Sequence, residues 1–220
     1  MAGVWLKRKI KNFSYIQFEL RRWYNKKRIK SRDFTIISNN CWAGKAYQYF
    51  DMPYLTPTVG LYFFADDYLK FIKNLRYYMS LEVEFISPEK SKYYNELEVR
   101  GQTEKPIGLL DDVEIIFLHY TSTKDAKEKW ERRKKRINYD NIFIKFSNMN
   151  LCTEEHIKEF DELNFLNKFV LNNRKKTKYS SEYFWSGSSN AKEIINDSST
   201  FPGNLNLVKL LKRKPESYPY

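Results

Sequence analysis

At neutral pH a thiol and an imidazole are the side chains best suited to nucleophilic and proton-transfer chemistry. This chain holds two of each: Cys41 and Cys152, His119 and His156. Cys41 lies in the loop Ser38-Asn39-Asn40-Cys41-Trp42, just after a strand-like run. A thiol there is a nucleophile if a nearby base lowers the cost of forming thiolate. His119 is the basic partner the sequence offers, since His156 falls in a charged helical stretch. Asp140 or Asp112 is placed to orient it, and the Asn39 and Asn40 amides with loop N–H groups can bind an oxyanion. The plainer reading is that Cys41 is a small buried residue packing a turn.

A second group of residues suits anions. Trp130-Glu131-Arg132-Arg133-Lys134-Lys135-Arg136 is a basic helical run that leads into Asn138-Tyr139-Asp140-Asn141. Arg132, Arg133 and Arg136 can hold a phosphate or an acidic sugar, because guanidinium binds such oxyanions bidentately. Asn39, Asn40, Trp42 and Asn141 complete the expected substrate contacts, with His119, Asp140 and Cys41 as the catalytic candidates. The alternative is a solvated helix face with Trp130 turned inward. The acid pairs Asp66-Asp67 and Asp111-Asp112 can hold a divalent metal on a diphosphate. Helix capping and a turn explain them equally, and neither is an Asp-x-Asp. No metal site is expected, and the cofactor is unknown.

The elements that must place these residues are legible as alternating patterns. Residues 3–30 read as a basic helix with apolar residues 13, 16, 20, 23 and 24 at helical spacing. Phe34–Ser38, Val83–Ile86, Val113–His119, Ile142–Phe146 and Asn167–Leu171 read as strands. Asp66, Ser122 and Thr153 stand where helices begin. Strands alternating with helices over residues 33–171 predict an α/β domain built on a mainly parallel sheet with helices on both faces. Ligands in such sheets sit at the carboxyl ends of strands. Cys41 and His119 each fall at such an end. The division expected is a helical arm over 1–32, a core over 33–175 and a loop-rich extension over 176–220.

Bulk properties narrow the setting. The net charge of +12 is concentrated in residues 1–32, which hold eleven Lys or Arg and one acid, Glu19. The body behind this arm is nearly neutral, and no nucleic-acid motif is present, so nucleic acid is not an expected partner. A basic helix carrying Trp and Phe suits an anionic membrane surface. No run approaches the roughly 18 apolar residues of a membrane span. No signal-peptide core is seen either. Two isolated cysteines without a CxxC pair fit a reduced, cytoplasmic protein, peripheral on the inner face of the plasma membrane if the arm binds lipid.

The ordered motifs Ile37-Ser38-Asn39-Asn40-Cys41-Trp42-Ala43-Gly44, Tyr54-Leu55-Thr56-Pro57-Thr58-Val59-Gly60-Leu61 and Asp67-Tyr68 resemble one bacterial family. Pro106-Ile107-Gly108, Asp111–Ile115, Phe117-Leu118-His119-Tyr120, Trp130–Arg133 and Arg136–Asn141 match it as well. It is the family catalogued as domain of unknown function nineteen-nineteen, and the resemblance spans roughly residues 33–175. Ala43 stands where the family pattern leads one to expect another small residue, commonly Gly. Members carry the label of exopolysaccharide biosynthesis, so the resemblance implies a role in making bacterial surface polysaccharide. The reaction expected first is a transferase, most simply a glycosyltransferase using an activated sugar. A Cys/His acyl- or other group-transfer enzyme acting on a glycan is the alternative. The third reading is a non-catalytic partner of a membrane-associated synthase.

Overall fold

The structure is a computed structural model that describes residues 2–188, 191–199 and 201–211, with side chains from Tyr15 onward. The side chains of Val4, Trp5, Phe13 and the basic residues between them lie outside the described residues. The chain opens with helix α1 (Ala2–Arg28) and runs into strand β1 (Thr35–Ser38). Helices α2 (Trp42–Tyr49), α3 (Ala65–Lys73) and α4 (Leu75–Ser80) follow. Next come β2 (Glu84–Ile86), α5 (Tyr94–Val99), β3 (Ile107–Leu110), β4 (Val113–Ile116) and α6 (Thr123–Lys134). The last part comprises β5 (Ile142–Ser147), α7 (Glu154–Glu162), β6 (Lys168–Asn172), β7 (Glu182–Phe184) and α8 (Leu207–Leu210).

Two sheets form instead of one. The first is fully parallel, in the order β1-β5-β6-β7. The second is antiparallel, in the order β2-β3-β4. The expected α/β architecture with a parallel sheet is present, and what differs is the second, antiparallel sheet, which takes the Val113 strand. Val113–Ile116 pairs with Ile107–Leu110 across a tight turn at Asp111, whose φ is +54°. That hairpin partner is short and contains Gly108, so it carries little strand signal of its own.

Side-chain alternation assigns the faces of the parallel sheet. Ile37, Ile142, Ile144, Phe146 and Val170 enter one core with α3, α6, α7 and the inner face of the second sheet. Ile36, Phe143, Phe169 and Leu171 enter another with α2 and α8. Helices thus cover both faces, as the near-continuous apolar strands require. A smaller core of Tyr62, Phe64, Leu97, Ile107 and Ile116 seats α5 on the outer side of the antiparallel sheet.

Strand β1 is an edge strand, and its free edge is closed by side chains. The Tyr47 hydroxyl accepts from Ile36 N at 2.9 Å and donates to Phe34 O at 3.0 Å. The Thr58 hydroxyl accepts from Ser38 N at 3.2 Å, and Thr35 donates to Leu55 O at 3.0 Å. Unpaired strand edges invite foreign pairing, and these bonds remove the opportunity. They also tie α2 and the 54–60 loop along β1, with the Thr58–Ser38 bond at the end that Cys41 follows.

Residues 176–220 were expected as an extension. Within the described part they supply β7, the outermost parallel strand, and bury Ile194, Leu205, Leu207 and Leu210 in the second core.

Candidate functional site

The turn after β1 is held from beneath by a buried ion pair. Lys145 on β5 and Asp197 from the C-terminal segment are both fully buried and form a salt bridge. The Asp197 carboxylate also accepts from Ser147 Oγ at 2.6 Å and from Asn40 Nδ2 at 2.9 Å. Lys145 donates further to Asn40 Oδ1 at 2.9 Å, and the same oxygen accepts from Trp42 N at 3.1 Å. Burial works to raise the Asp197 pKa. The Lys145 ammonium and the hydrogen bonds from Lys145, Ser147 and Asn40 outweigh it and hold the carboxyl below its usual range. The pair is read as ionised, because each member keeps hydrogen-bond partners beyond the other.

Above this platform lie two adjoining cavities. The first, of about 270 Å³, is lined by Lys45, Tyr54, Gly60, His119, Lys129 and Arg133 among others. The second, of about 540 Å³, is lined by Asn40, Arg100, Gln102, Asn150, Asp197 and Ser198 among others. Cys41, Lys45 and His119 line both. The smaller cavity has three cations in its lining and no carboxylate. Lys129 is paired with Asp125 at 2.8 Å. Arg133 is buried, donates to Tyr120 OH at 2.6 Å and lies 5.0 Å over the Tyr54 ring. Tyr120 in turn donates to Val59 O at 2.5 Å. The Lys45 side chain is exposed and makes no ion pair or hydrogen bond among the described residues.

Gly60 explains how the cleft stays open. Its φ of +74° suits glycine. A Cβ there would meet Tyr120 Cε2 at 3.1 Å and His119 Cβ at 3.5 Å. Its carbonyl accepts from His119 N at 2.9 Å. His119 therefore reaches the cleft through this backbone bond: the strand expected to run to His119 ends at Ile116, and the histidine lies in the turn that follows. The placement of His119 beside Cys41 was expected; the route by which it gets there was not. The His119 side chain is exposed and unpartnered among the described residues.

The other expected site residues divide. Cys41 lines both cavities, but its S–H donates to Leu61 O at 3.6 Å. Burial, and then the Asp197 charge, push the thiol up to about 11. Asn40 touches the larger cavity, with its amide committed to the ion pair. Asn39 is fully buried and donates to Ser147 O at 3.3 Å; it lines neither cavity. Trp42 is fully buried between Phe169 and Phe201, so it packs the core instead of meeting substrate. Arg132 points to solvent on α6 and lines neither cavity, and Arg136 donates to Tyr54 O at 3.3 Å.

Asp140 and Asn141 precede β5, whereas Cys41 follows β1. The two strands are parallel, so these residues lie at the opposite end of the sheet from the cleft. Asn141 is spent there on Asp33 O at 2.8 Å. Asp112 is bound to Lys70 and Tyr78 at the far end of β4, at 2.9 and 2.8 Å. Neither aspartate orients His119. The two oxygens of Asp67 are taken by Lys92 Nζ at 2.5 Å and Glu114 N at 2.8 Å. Asp66 meets His156 Nε2 at 2.8 Å, and His156 Nδ1 accepts from Thr153 N at the start of α7.

Sequence reading missed Lys45, Lys129, Lys145 and Asp197. Two of these had a signal. Lys45 follows Cys41 by one helical turn, and Lys129 precedes Arg133 by one. Ala126, Trp130 and Arg133 are the buried residues of α6, at i, i+4 and i+7. Arg133, unlike Arg132 and Arg136, falls on that stripe.

Residues 11–211 match the family described as domain of unknown function (DUF1919). The chain belongs to this family. The match extends well beyond the 33–175 read from motifs and includes most of α1 and the segment that carries Asp197. A Haemophilus influenzae protein described as uncharacterized is 31% identical over 161 residues, covering 73% of this chain and 72% of the relative.

Proposed function

We propose that this chain is a transferase that binds an activated sugar through its phosphate and passes the sugar to a hydroxyl acceptor. Its place in surface-polysaccharide synthesis rests on the family resemblance alone. One observation carries the chemistry. Lys45, Lys129 and Arg133 converge on a small cavity without an acid, beside an unpartnered imidazole. Cations at such a site offset the charge that develops on a departing diphosphate. His119 is the base in this reading. It takes the acceptor proton as the acceptor oxygen bonds to the anomeric carbon, and the anomeric carbon–phosphate oxygen bond breaks with its electron pair leaving on the nucleoside diphosphate.

The test is a panel of sugar nucleotides incubated with the protein and an acceptor extract, with release of nucleoside diphosphate measured. Turnover with one donor, lost in His119→Gln, supports the reading. No binding and no release across the panel overturns it.

The acyl-transfer reading retains one point in its favour, because Cys41 and His119 line the same two cavities. Against it, the thiol is held protonated and donates to a carbonyl. A nucleophilic cysteine needs the opposite environment. A Cys41→Ser variant that keeps full activity removes that reading.

A further inference from the structure

Over its described side chains, from Tyr15 to Arg28, helix α1 has two faces, and the body of the protein engages one of them. Phe18, Arg21, Arg22 and Asn25, at i, i+3, i+4 and i+7, form the docked face. Phe18 meets the Tyr49 ring edge-on with centroids 5.8 Å apart. Arg21 donates to Leu205 O, Arg22 to Tyr49 O and Asn25 to Tyr49 OH, each at 2.9 Å. Ile16, Leu20, Trp23 and Tyr24 follow the i, i+4, i+7 and i+8 spacing of a second stripe, which at 3.6 residues per turn lies on the opposite side. Their exposures are 55%, 61%, 56% and 52%.

Large apolar side chains left at the surface as one stripe mark an interaction site. The cations beside them indicate the partner. The Lys27 ammonium lies 3.9 Å over the Trp23 ring, and the Arg28 guanidinium 5.0 Å over the Tyr24 ring. Residues 1–32 carry eleven basic residues against one acid, and that acid, Glu19, is paired with Arg22. Two copies meeting through this face would bring like charges together. An anionic lipid surface meets both demands: its headgroups take the Lys and Arg, and its interfacial zone takes Trp, Tyr and the aliphatic side chains.

We infer that the outward face of α1, centred on Leu20 and Trp23, seats the protein on an anionic membrane surface. The inference stands apart from the transferase reading, since it uses no residue of the cleft.

The test is co-sedimentation of the full chain with vesicles of phosphatidylcholine alone, or with one third phosphatidylglycerol. Binding is expected only to the second, and weakening as salt is raised. Leu20→Ser/Trp23→Ser keeps every charge and should lower the vesicle partition coefficient at least tenfold with an unchanged melting temperature. Lys27→Gln/Arg28→Gln should weaken binding and flatten its salt dependence. Equal binding by the Leu20/Trp23 variant would overturn the inference. So would no binding to either vesicle, or a dimer that these substitutions dissociate.

Discussion

Lys45 is the cation of the cleft whose charge is not already engaged by the protein. It stands exposed on the first turn of α2, where it can meet an anion without giving up another bond. Replacing it with alanine should leave the fold intact and weaken binding of a nucleoside diphosphate by about tenfold to a hundredfold, the worth of one hydrogen bond to a charged group. Calorimetric titration with UDP and GDP reads this directly; unchanged affinity would place the anion elsewhere. Cys41 makes a complementary prediction. With its thiol pushed up to about 11, alkylation by iodoacetamide in a Cys152→Ser background should be slow near neutral pH and should accelerate only as pH approaches that value. Rapid labelling at neutral pH would restore the cysteine as a nucleophile. Residue identity alone pointed to Cys41, His119 and Arg133, because scarce or strongly charged types attract notice. It failed for Asn39 and Trp42, since being next to a reactive residue in sequence does not decide which way a side chain turns.

At the level of elements, the determining contact is the one that joins β5 to the C-terminal segment. Asp197→Asn leaves Lys145 buried without its counter-charge and should cost about 3–5 kcal/mol, whereas Lys145→Met/Asp197→Leu should recover much of that loss. Thermal and urea unfolding check both. The carboxyl is held below its unfolded value, so its stabilisation is present above about pH 4 and is lost as pH falls through the folded value. The double variant should therefore lose less stability than the parent between about pH 5 and pH 2. Strands β1, β5 and β6 of the parallel sheet were legible as short apolar runs, β7 was not, and α6 and α7 were legible by their capping residues: Ser122 Oγ accepts from Asp125 N at 3.2 Å, and Thr153 forms a capping box with His156. Which strand joins which sheet was not legible. Val113–Ile116 has four buried residues, including Glu114, and so has the pattern of a central parallel strand. It is covered on both sides because the antiparallel sheet sits between two cores.

At the scale of the whole molecule, the described residues after 190 complete a core that begins with β1 and α2. Ending the chain at residue 190 removes Asp197 together with the buried Ile194, Leu205, Leu207 and Leu210. Each aliphatic side chain is worth about 1.5–3 kcal/mol. Their sum is of the order of a domain's entire stability of about 5–15 kcal/mol. Such a truncation should give an insoluble or unfolded product, judged by circular dichroism and by the loss of a cooperative melt. A folded, cooperative fragment would show that the segment is an accessory after all. No helix among the described residues is long and apolar enough to cross a membrane.

Composition and periodicity were enough to determine the α/β class, the basic character of the first 32 residues and the strand end at which Cys41 lies. These depend on local pattern and on charge, which the chain carries in linear order. The tertiary structure alone decided which functional groups share a cleft. Two parallel strands placed Asp140 and Asn141 at the far end of the sheet, and a backbone bond from His119, in the turn after β4, to Gly60 in the 54–60 loop brought a histidine to the cleft. The Lys145–Asp197 pair joins residues 52 positions apart. A buried charge is tolerated only where folding delivers its partner, and no local pattern announces that meeting.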